Sequence, residues 1–460
     1  MGSFMAAAPL VAVVAGALAV LFLEAFLKRQ DSELPAWVAV AALAAAGFFI
    51  VRSWNRGLVC FGGRLSLDPL ALVLTMLFVL AGMAVVIMGL KYALRRDMNL
   101  GQFCGLLLLA VAGAMIMVST ANWLIVFLGL EVLSVASYAL TGLKRNDAGS
   151  SEAAAKYFLL GSFAGAFFVF GLAFVYGTSG SLDLSSGLSP AGSVGLGLIL
   201  TALFFKIALA PFHMWAPDVY EGAPTPVTAF LTVVPKAAGL AVLIRVVSPA
   251  VFVPVLSAVA VLTMFAGNLA ALRQTSLKRM LAYSSVAHSG YLLVAVVSRD
   301  AESFAFYLVA YLFMNAGAFG VLAAVTGKGI EHTALDDFAG LGRRNPWLAA
   351  GLAIFLLSLA GFPPTAGFLA KFYVFAGAVR EGHVALAVAA VLASLISVAY
   401  YLKVIVVMYM GDEAAETSAE AEDPALYLIV FLCLFGTVQL GLWPGNLLTL
   451  IRQALSAFFG

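Results

Sequence analysis

Four titratable side chains lie inside long apolar segments of this chain, where a charge is costly to bury. Glu131 stands in FLGLEVLSVASYAL, Lys206 in FFKIALAPF, Lys236 in FLTVVPKAAGL and Lys371 in FPPTAGFLAKFYVF. An ionised side chain in hydrocarbon costs about 3 kcal/mol on insertion scales, so such residues usually face the protein interior and take part in ion or proton movement. We therefore interpret these four residues as the main candidates for a functional site.

The chemistry that suits these residue types is proton transfer. Burial favours the neutral amine of a lysine, whereas a nearby carboxylate favours the ammonium. Movement of Glu131 toward or away from Lys206 would therefore switch that lysine between holding and releasing a proton. A row formed by Lys206, Lys236 and Lys371 near the membrane midplane, joined by water, would then pass the proton sideways and out.

Proline residues next to two of these lysines disturb the helices that carry them. Pro211 follows the first lysine by five residues, and Pro235 directly precedes the second. Each proline leaves the carbonyl four residues earlier without its helical N–H, here those of Ile207 and Leu231. Irregular backbone at membrane depth needs protein or water to satisfy it, so the pattern predicts an internal, hydrated ion path.

Four further titratable residues are candidates with a competing structural explanation: Lys156, Lys403, His213 and His288. Lys156 lies one turn into its predicted helix and Lys403 toward the end of another, so either lysine can instead extend its ammonium to the membrane interface. Each histidine suits either a proton carrier or a hydrogen-bonded structural residue. The two carboxylates that follow Pro217 are interpreted mainly as fixing a loop.

The composition indicates a polytopic membrane protein. Hydrophobic residues make up 63% and charged residues only 10% of the 460 residues, with a mean hydropathy of +1.05, whereas soluble domains are nearer half apolar and one quarter charged. The net charge of +2 comes without a basic tract that would bind nucleic acid. The three cysteines have no CxxC or metal spacing, and there is no P-loop, GxGxxG, haem ligand pair or HExxH motif. Neither a metal site nor bond-making catalysis is indicated.

Counting apolar runs of about 20 residues predicts an all-α integral membrane fold with about fourteen transmembrane helices. The predicted spans are 6–27, 35–52, 68–90, 103–121, 123–143, 154–177, 193–210, 225–247, 252–272, 278–298, 303–326, 346–362, 383–409 and 425–450. The seventh and twelfth are predicted to be discontinuous, continuing past their prolines to about residues 223 and 380. The first run lacks the basic start of a signal peptide and is long enough to span, so it is interpreted as a helix.

The lysines and prolines also suggest two repeats of opposite orientation. The seventh and twelfth spans each combine a lysine with a proline break, and the span after each carries one more lysine. The separation is five helices, and because five is odd the two units would lie in opposite senses across the membrane. Inverted repeats with paired discontinuous helices are the sequence signal for an ion site near the midplane. The predicted organisation is a three-helix segment (1–100), two inverted five-helix repeats (101–250 and 251–410), and an acidic solvated loop at 411–423 with a C-terminal helix (411–460).

The distribution of Lys and Arg predicts the orientation. With the N-terminus outside, thirteen basic residues fall in inside loops, among them Lys28, Arg29, Lys144, Lys278 and Lys328, against seven outside. Cytoplasmic loops carry the excess of basic residues. We therefore expect both termini on the periplasmic side of a bacterial inner membrane.

Several segments of the chain closely resemble a known family. They are FLGLEVLSVASYAL (127–140), SEAAAKYFLLGSFAGA (151–166), FFKIALAPFHMWAPDVYEGAPTPVTAFL (204–231), YSSVAHSGY (283–291) and FPPTAGFLAKFYVF (362–375). These residues resemble subunit N of the bacterial NADH–quinone oxidoreductase, respiratory complex I, and the resemblance covers nearly the whole chain from about residue 65 onward. It implies one of three antiporter-like, proton-pumping subunits of the membrane arm, with fourteen helices and inverted five-helix repeats.

The resemblance implies roles for individual residues and partners. The family's glutamate of the fifth helix and lysines of the sixth, seventh, eighth and twelfth helices match Glu131, Lys156, Lys206, Lys236 and Lys371. NADH, FMN, iron–sulfur clusters and the quinone are then handled by partner subunits, with no cofactor on this chain. The expected partners are the other membrane-arm and peripheral-arm subunits, the lipid bilayer, protons and water.

Three alternatives differ in recognisable features. A sister pumping subunit of the same complex would carry a long C-terminal lateral helix or a glutamate in place of Lys371, and neither is seen. A subunit of a multi-subunit sodium/proton antiporter shares the fold and the lysines, but we would expect WLPxAH-like sequence where this chain has WAPDVYEGAP. A simple substrate carrier would need a polar pocket wider than isolated lysines provide.

Overall fold

The computed structural model describes residues 2–26, 32–54, 56–96, 98–184, 189–246, 252–325, 331–412 and 423–455. Three basic residues used in the orientation prediction, Lys28, Arg29 and Lys328, lie outside these ranges, and so does most of the acidic segment 411–423. The predictions for those residues stay predictions.

Helices make up nearly all of the described chain. They are α1 Gly2–Phe26, α2 Leu34–Ser53, α3 Pro69–Arg95, α4 Leu100–Val118, α5 Trp123–Thr141, α6 Ala148–Ser179, α7 Pro190–Ile207, α8 Trp215–Gly222, α9 Thr225–Val246, α10 Val253–Leu272, α11 Leu277–Val297, α12 Ala301–Ala324, α13 Leu341–Arg344, α14 Pro346–Ala360, α15 Ala366–Arg380, α16 Val384–Met410, α17 Pro424–Leu442 and α18 Gly445–Leu455. Within the described ranges, 13 helices are long and apolar enough to cross a membrane. The twelfth predicted span, 346–362 with its continuation to about residue 380, consists of the shorter helices α14 and α15. The all-α membrane fold is therefore confirmed.

Side-chain caps determine where several helices of the candidate site begin. At the start of α5, Asn122 accepts hydrogen bonds from the backbone N–H groups of Leu124 and Ile125. Ser189 and Ser276 cap α7 and α11, each accepting from the N–H three residues on. Each such cap contributes about 1 kcal/mol. The starting points of these helices are thus encoded locally.

The seventh and twelfth spans are interrupted where the sequence predicts. α7 ends at Ile207, Ala208 has a φ of 61°, and helical structure resumes only at Trp215. α14 ends before Gly361, whose φ is 93°, and α15 begins after Pro363–Pro364. Both half-helices therefore end in a left-handed residue followed by a proline-containing linker.

Protein hydroxyls satisfy the carbonyls that the prolines leave without a helical partner. The Ile207 carbonyl accepts a hydrogen bond of 3.1 Å from Ser289. The Leu231 carbonyl accepts one of 3.3 Å from Tyr220, and α9 continues through Pro235. The protein therefore supplies the partners itself, and the disturbed backbone does not by itself require water at these two carbonyls.

Two predicted helix boundaries are wrong. The last predicted span, 425–450, is two helices, because α17 ends at Leu442 and Pro444 separates it from α18. A residue before proline is disfavoured in helical conformation, and Trp443 has φ −133° and ψ 69°. α6 begins at Ala148 rather than 154, because Asp147 accepts a hydrogen bond of 2.8 Å from the Gly149 N–H and caps the helix earlier.

A short antiparallel hairpin was not predicted. Its strands are β1 Leu58–Cys60 and β2 Leu65–Leu67, with Val59 paired to Ser66. Strands of three residues carry too little alternation to be detected in an apolar sequence.

Helix α9 forms the centre of the molecule. All residues (100%) in the 18-residue apolar stretch of α9 are buried. The buried share of the corresponding stretch is 94% in α11 and 89% in α12, but only 33% in α6 and 39% in α16. α9 packs against α3, α4, α5, α7, α8, α11 and α12. Gly239 permits the close approach of α7, since a Cβ at this position would lie 2.7 Å from Ile207 Cγ1.

Candidate functional site

The three central lysines lie inside the helix bundle. Lys206, Lys236 and Lys371 are 3%, 2% and 4% exposed. A buried charge is tolerated only when it is paired or hydrogen-bonded. Each of the three ammonium groups donates two hydrogen bonds to protein oxygens.

Lys206 lies one residue before the end of α7 and reaches across to α5 and α6. Its Nζ donates to Ser134 Oγ at 2.9 Å and to the Tyr157 hydroxyl at 3.1 Å. The same ammonium lies 5.1 Å from the centre of the Tyr157 ring and 5.6 Å from that of Tyr138. Ring faces at these distances attract a cation, so this site accommodates the charged form.

Glu131 lies on α5, one turn before Ser134, and its side chain is half-buried. In the described part of the chain no ion pair closer than about 4 Å joins it to Lys206. The Ser134 hydroxyl, one turn further along the same helix, binds the ammonium directly. Gly165 of α6 leaves room for the carboxylate, because a Cβ there would lie 3.0 Å from Glu131 Oε1.

Lys236 lies in the middle of α9 and is held by a single residue of α11. Its Nζ donates to the Ser285 carbonyl at 2.7 Å and also contacts the Ser285 hydroxyl. The ring of Tyr220, from α8, lies 5.6 Å from the ammonium. Lys236 therefore touches both the broken seventh span and α11.

A series of aromatic ring contacts runs from the surroundings of Lys206 to those of Lys236. Tyr157, which binds Lys206, stacks on Trp215 with ring centres 4.5 Å apart and an interplanar angle of 9°. Trp215 in turn meets the edge of Tyr220 at 5.7 Å. The Tyr220 ring is also the one that lies 5.6 Å from the Lys236 ammonium, so these contacts connect the surroundings of the two lysines.

Helix α11 spans the distance between Lys236 and Lys371. Ser285, His288 and Tyr291 follow one another at intervals of three residues. Ser285 accepts from Lys236, and the ring centre of Tyr291 lies 5.0 Å from the Lys371 ammonium. Because residues three apart lie on one helix face, His288 is placed between the two lysines.

His288 is 2% exposed and is surrounded by tyrosines. Its Nδ1 shares a hydrogen bond of 2.8 Å with the Tyr307 hydroxyl, and its Nε2 lies 3.5 Å from that of Tyr401. The imidazole also stacks on Tyr311 with ring centres 4.9 Å apart. Both ring nitrogens thus face hydroxyl groups that can donate or accept a proton.

Lys371 of α15 closes the row. Its Nζ donates to the Ala360 carbonyl at 2.9 Å and to Ser394 Oγ at 2.8 Å. Ala360 is the last residue of α14, so the lysine bridges the two halves of the broken twelfth span. Ser394 joins this group to α16.

Lys156 belongs to a network of exposed and half-buried ion pairs rather than to the buried row. It pairs with Glu152 and with Asp218, both at 2.8 Å. Arg279 of α11 pairs with Asp218 at 2.8 Å and with Glu221 at 2.7 Å. The carboxylates after Pro217 therefore tie α8 to α6 and α11, consistent with the loop-fixing role predicted for them.

The other two weaker candidates lie apart from the row. Lys403 is exposed on α16 and makes none of the hydrogen bonds or ion pairs found in the described chain. His213 lies in the linker between α7 and α8, and its Nδ1 is buried without a hydrogen-bond partner among the described residues.

Several residues of the site were missed by sequence reasoning. The most important are the hydrogen-bond acceptors of the lysines and the rings between them: Ser134, Tyr157, Trp215, Ser285 and Ser394. Serine and tyrosine carry no charge, so they do not stand out in an apolar segment as a lysine does. The three-residue spacing of Ser285, His288 and Tyr291 is a signal that could have pointed to α11.

The described residues contain no group of three or more His, Cys, Asp or Glu side chains that could hold a metal ion. Cys60, Cys104 and Cys433 are buried free thiols.

Comparison with protein families identifies relatives along nearly the whole chain. The family described as "NADH:quinone oxidoreductase/Mrp antiporter, TM" matches residues 120–397. NADH-quinone oxidoreductase subunit N of Trichlorobacter lovleyi is 40% identical over 459 residues, covering 95% of this chain and 94% of the relative. The protein of the same name from Chloroflexus aggregans is 40% identical over 476 residues, covering 98% and 97%.

Solved structures share the fold. A chain of respiratory complex I from Thermus thermophilus, solved with bound aureothin, is 35% identical with a TM-score of 0.86, covering 96% of this chain and 98% of that chain. A chain of the Mrp complex from a Dietzia species has a TM-score of 0.85 at 20% identity, covering 99% and 98%. At 20% identity, the likeness to the Mrp chain shows only that the two chains share a fold.

Proposed function

The chain belongs to the subunit N family of NADH–quinone oxidoreductase, and from this premise we propose that its buried lysines relay protons across the membrane arm of that complex. The observation that carries the proposal is the series of contacts from Lys206 to Lys236 and then along one face of α11 to Lys371. Electron transfer from NADH to quinone takes place in partner subunits and drives the relay. FMN and the iron–sulfur clusters belong to those partners.

Glu131 and Lys206 form the switch at the start of the relay. Glu131 and Ser134 lie on the same helix, and Ser134 binds the ammonium. A small movement of α5 therefore changes the distance between carboxylate and lysine. Approach of the carboxylate favours the ammonium, and its withdrawal favours release of the proton. The released proton moves toward Lys236 through water beside the Tyr157–Trp215 stack, because the stacked rings themselves do not carry it.

The second half of the relay runs along α11. Ser285 and Tyr291 contact the two lysines, and His288 between them has hydroxyl partners on both ring nitrogens. A neutral imidazole accepts a proton on one nitrogen and can release another from the opposite nitrogen. Lys371 then passes the proton to the outside, where both termini lie, with the chain in the bacterial inner membrane.

The orientation is supported by the grouping of basic loops. Lys144 and Lys278, both counted as inside, bind the same carboxylate, that of Glu331. The loop after α5 and the start of α11 therefore meet on one side of the helix bundle. Cytoplasmic faces carry such clusters of lysine.

The second candidate function, a sodium/proton antiporter subunit, shares this fold. The family description names both kinds of protein, and the likeness to the Mrp complex at 20% identity concerns the fold alone. The relatives at 40% identity carry the name of the oxidoreductase subunit instead.

Replacing Lys206 or Lys236 with methionine tests the relay, because methionine has similar length and no titrating group. In vesicles containing the assembled complex, we expect proton pumping to fall by roughly tenfold or more, with quinone reduction slowed because the two are coupled. Lys91→Met, a partly exposed lysine of α3, is the matched control. Normal assembly with normal pumping in both relay variants would contradict the proposal.

A further inference from the structure

A buried carboxylate outside the relay, Glu331, lies on the segment that follows α12. Its side chain is only 11% exposed and pairs with the Lys144 ammonium at 2.9 Å. The Lys278 ammonium, which is fully buried, lies 3.0 Å from the same carboxylate oxygen. The Tyr92 hydroxyl of α3 donates to the other oxygen. Groups from three other parts of the chain thus converge on one carboxylate.

Glu331 is joined directly to the first residue of α9. It accepts hydrogen bonds from the Thr225 hydroxyl at 2.9 Å and from the Thr225 N–H at 3.3 Å. Lys278 also donates to the Ala223 carbonyl at 2.5 Å, in the connection between α8 and α9. The carboxylate therefore sits at the end of the helix that carries Lys236.

Buried hydroxyls continue along α9 from this end toward the lysine. Thr225, Thr228, Thr232 and Lys236 are spaced by three, four and four residues, which places them on one helix face. All three threonines are 0% exposed. With a rise of about 1.5 Å per residue, one polar group per turn covers the roughly 16 Å from Thr225 to Lys236.

The hydroxyl oxygens on this face can still accept hydrogen bonds. Thr228 donates its proton to the Tyr220 carbonyl at 2.8 Å, and Thr232 donates to the Thr228 carbonyl at 2.9 Å. Asn315 of α12 donates to the Thr232 hydroxyl at 2.5 Å. A hydroxyl that donates to a carbonyl still has two lone pairs that accept from water. The face is thus polar along its whole length.

We propose that Glu331 takes up protons from the solution on its side of the membrane and delivers them along the threonine face of α9 to Lys236. In each cycle the carboxylate gains a proton from solution, the proton passes through water held by the threonines, and the Lys236 amine becomes an ammonium. No other reactant is consumed. The proposal rests on the relay proposed above and adds an inlet that does not pass through Lys206.

The charges around Glu331 suit proton exchange near neutral pH. Burial raises the pKa of the Glu331 carboxyl to about 8, with the Thr225 N–H acting in the opposite direction. Burial also lowers the pKa of the Lys144 ammonium to about 8. Lys144 lies near Lys278, and the other charged groups around these two lysines are Arg96, Asp147 and Glu221. An acid and a base of similar pKa exchange a proton at little cost.

Glu331→Gln in the assembled complex removes the titrating group at the same size. We expect the pumping rate to fall by roughly tenfold, whereas Glu331→Asp, which keeps a carboxylate, retains more activity. The wild-type rate should decline as the pH rises through about 8, because the carboxyl then stays ionised, and the glutamine variant should lack this decline. Asp336→Asn, an exposed carboxylate on the same segment, is the matched control.

Wild-type pumping in Glu331→Gln overturns the proposal. A reduced rate that keeps the wild-type pH profile also overturns it, because the residue would then act only on structure. If the glutamine variant fails to assemble, Thr232→Val tests the proposal instead. We expect its pumping rate to be several-fold lower than that of the wild type. Its control is Thr437→Val on α17, another buried threonine that donates to the carbonyl four residues earlier. Equal pumping in the two threonine variants excludes the inlet.

The Lys236→Met variant distinguishes failure of the lysine relay from failure of the Glu331 inlet. Normal pumping in that variant shows that the relay is wrong. Lost pumping there, combined with normal pumping in Glu331→Gln and Thr232→Val, shows that only the inlet is wrong.

Discussion

The ammonium group of Lys371 donates a 2.9 Å hydrogen bond to the carbonyl of Ala360, the group that Pro364 leaves without a helical N–H. One side chain thus completes the end of α14 and belongs to the proton relay. A neutral amine still has two N–H bonds, so it can keep donating to the carbonyl after losing a proton. The helix end is therefore satisfied in both protonation states.

Lys371→Met should affect stability as well as pumping. The Ala360 carbonyl loses its short hydrogen bond and keeps only a 3.5 Å contact with Ser394 Oγ. An unsatisfied buried polar group costs about 1–3 kcal/mol. We expect a lower melting temperature of the complex together with reduced pumping. Lys91→Met on α3 should change neither measurement, and an unchanged melting temperature in Lys371→Met would show that the hydrogen bond to Ala360 is dispensable.

Gly165→Ala should disturb the Glu131 carboxylate without touching any charge. The added Cβ would lie 3.0 Å from Glu131 Oε1, so the carboxylate must shift. We expect pumping to fall several-fold while the complex assembles normally. Gly177→Ala on the same helix has open space around its Cβ and is the control. Equal pumping in the two variants would mean that the position of Glu131 is not critical.

Tyr157→Phe separates the hydrogen bond to Lys206 from the stacking on Trp215. Phenylalanine keeps the ring and loses the hydroxyl that accepts from the ammonium at 3.1 Å. A hydrogen bond to a charged group contributes about 1.5–3 kcal/mol, so the charged form of Lys206 becomes less favourable. We expect slower pumping with a shifted pH optimum, whereas Tyr176→Phe, an exposed tyrosine of α6, should behave as wild type.

Glu331 should make the stability of the protein depend on pH. Its pKa is raised from 4.5 to about 8 by burial, so between these values the folded state binds more protons than the unfolded state. The stabilisation is therefore complete below the lower value and is lost as the pH rises through the higher one. Melting temperatures should decline across this window in the wild type and less so in Glu331→Gln. Parallel curves for the two proteins would contradict the raised pKa.

Much of the architecture could be predicted because the membrane restricts what a chain can do. Apolar runs of spanning length must be helices, and the interruptions near Pro211 and Pro363–Pro364 follow from the missing N–H of proline. Single charges in such runs are conspicuous, which explains why Lys206 and Lys236 could be picked out.

The surroundings of these lysines could not be predicted, because their partners are distant in sequence and uncharged. Ser285 lies 49 residues after Lys236, and Ser134 lies 72 residues before Lys206. No local pattern relates such pairs. Glu331 stands in a polar segment, where a carboxylate is ordinary, and only the fold shows that it is buried.

The complete burial of α9 affects how the chain must be synthesised. Ser285, which accepts both hydrogen bonds of Lys236, is made 49 residues later. When α9 enters the membrane, α3 and α4 are already available to pack against it, but α11 and α12 do not yet exist. The lysine therefore stays without its native acceptor until the second half of the protein has been inserted. A chain truncated near residue 250 would keep this defect permanently and present the quality-control proteases of the membrane with an unfinished helix bundle.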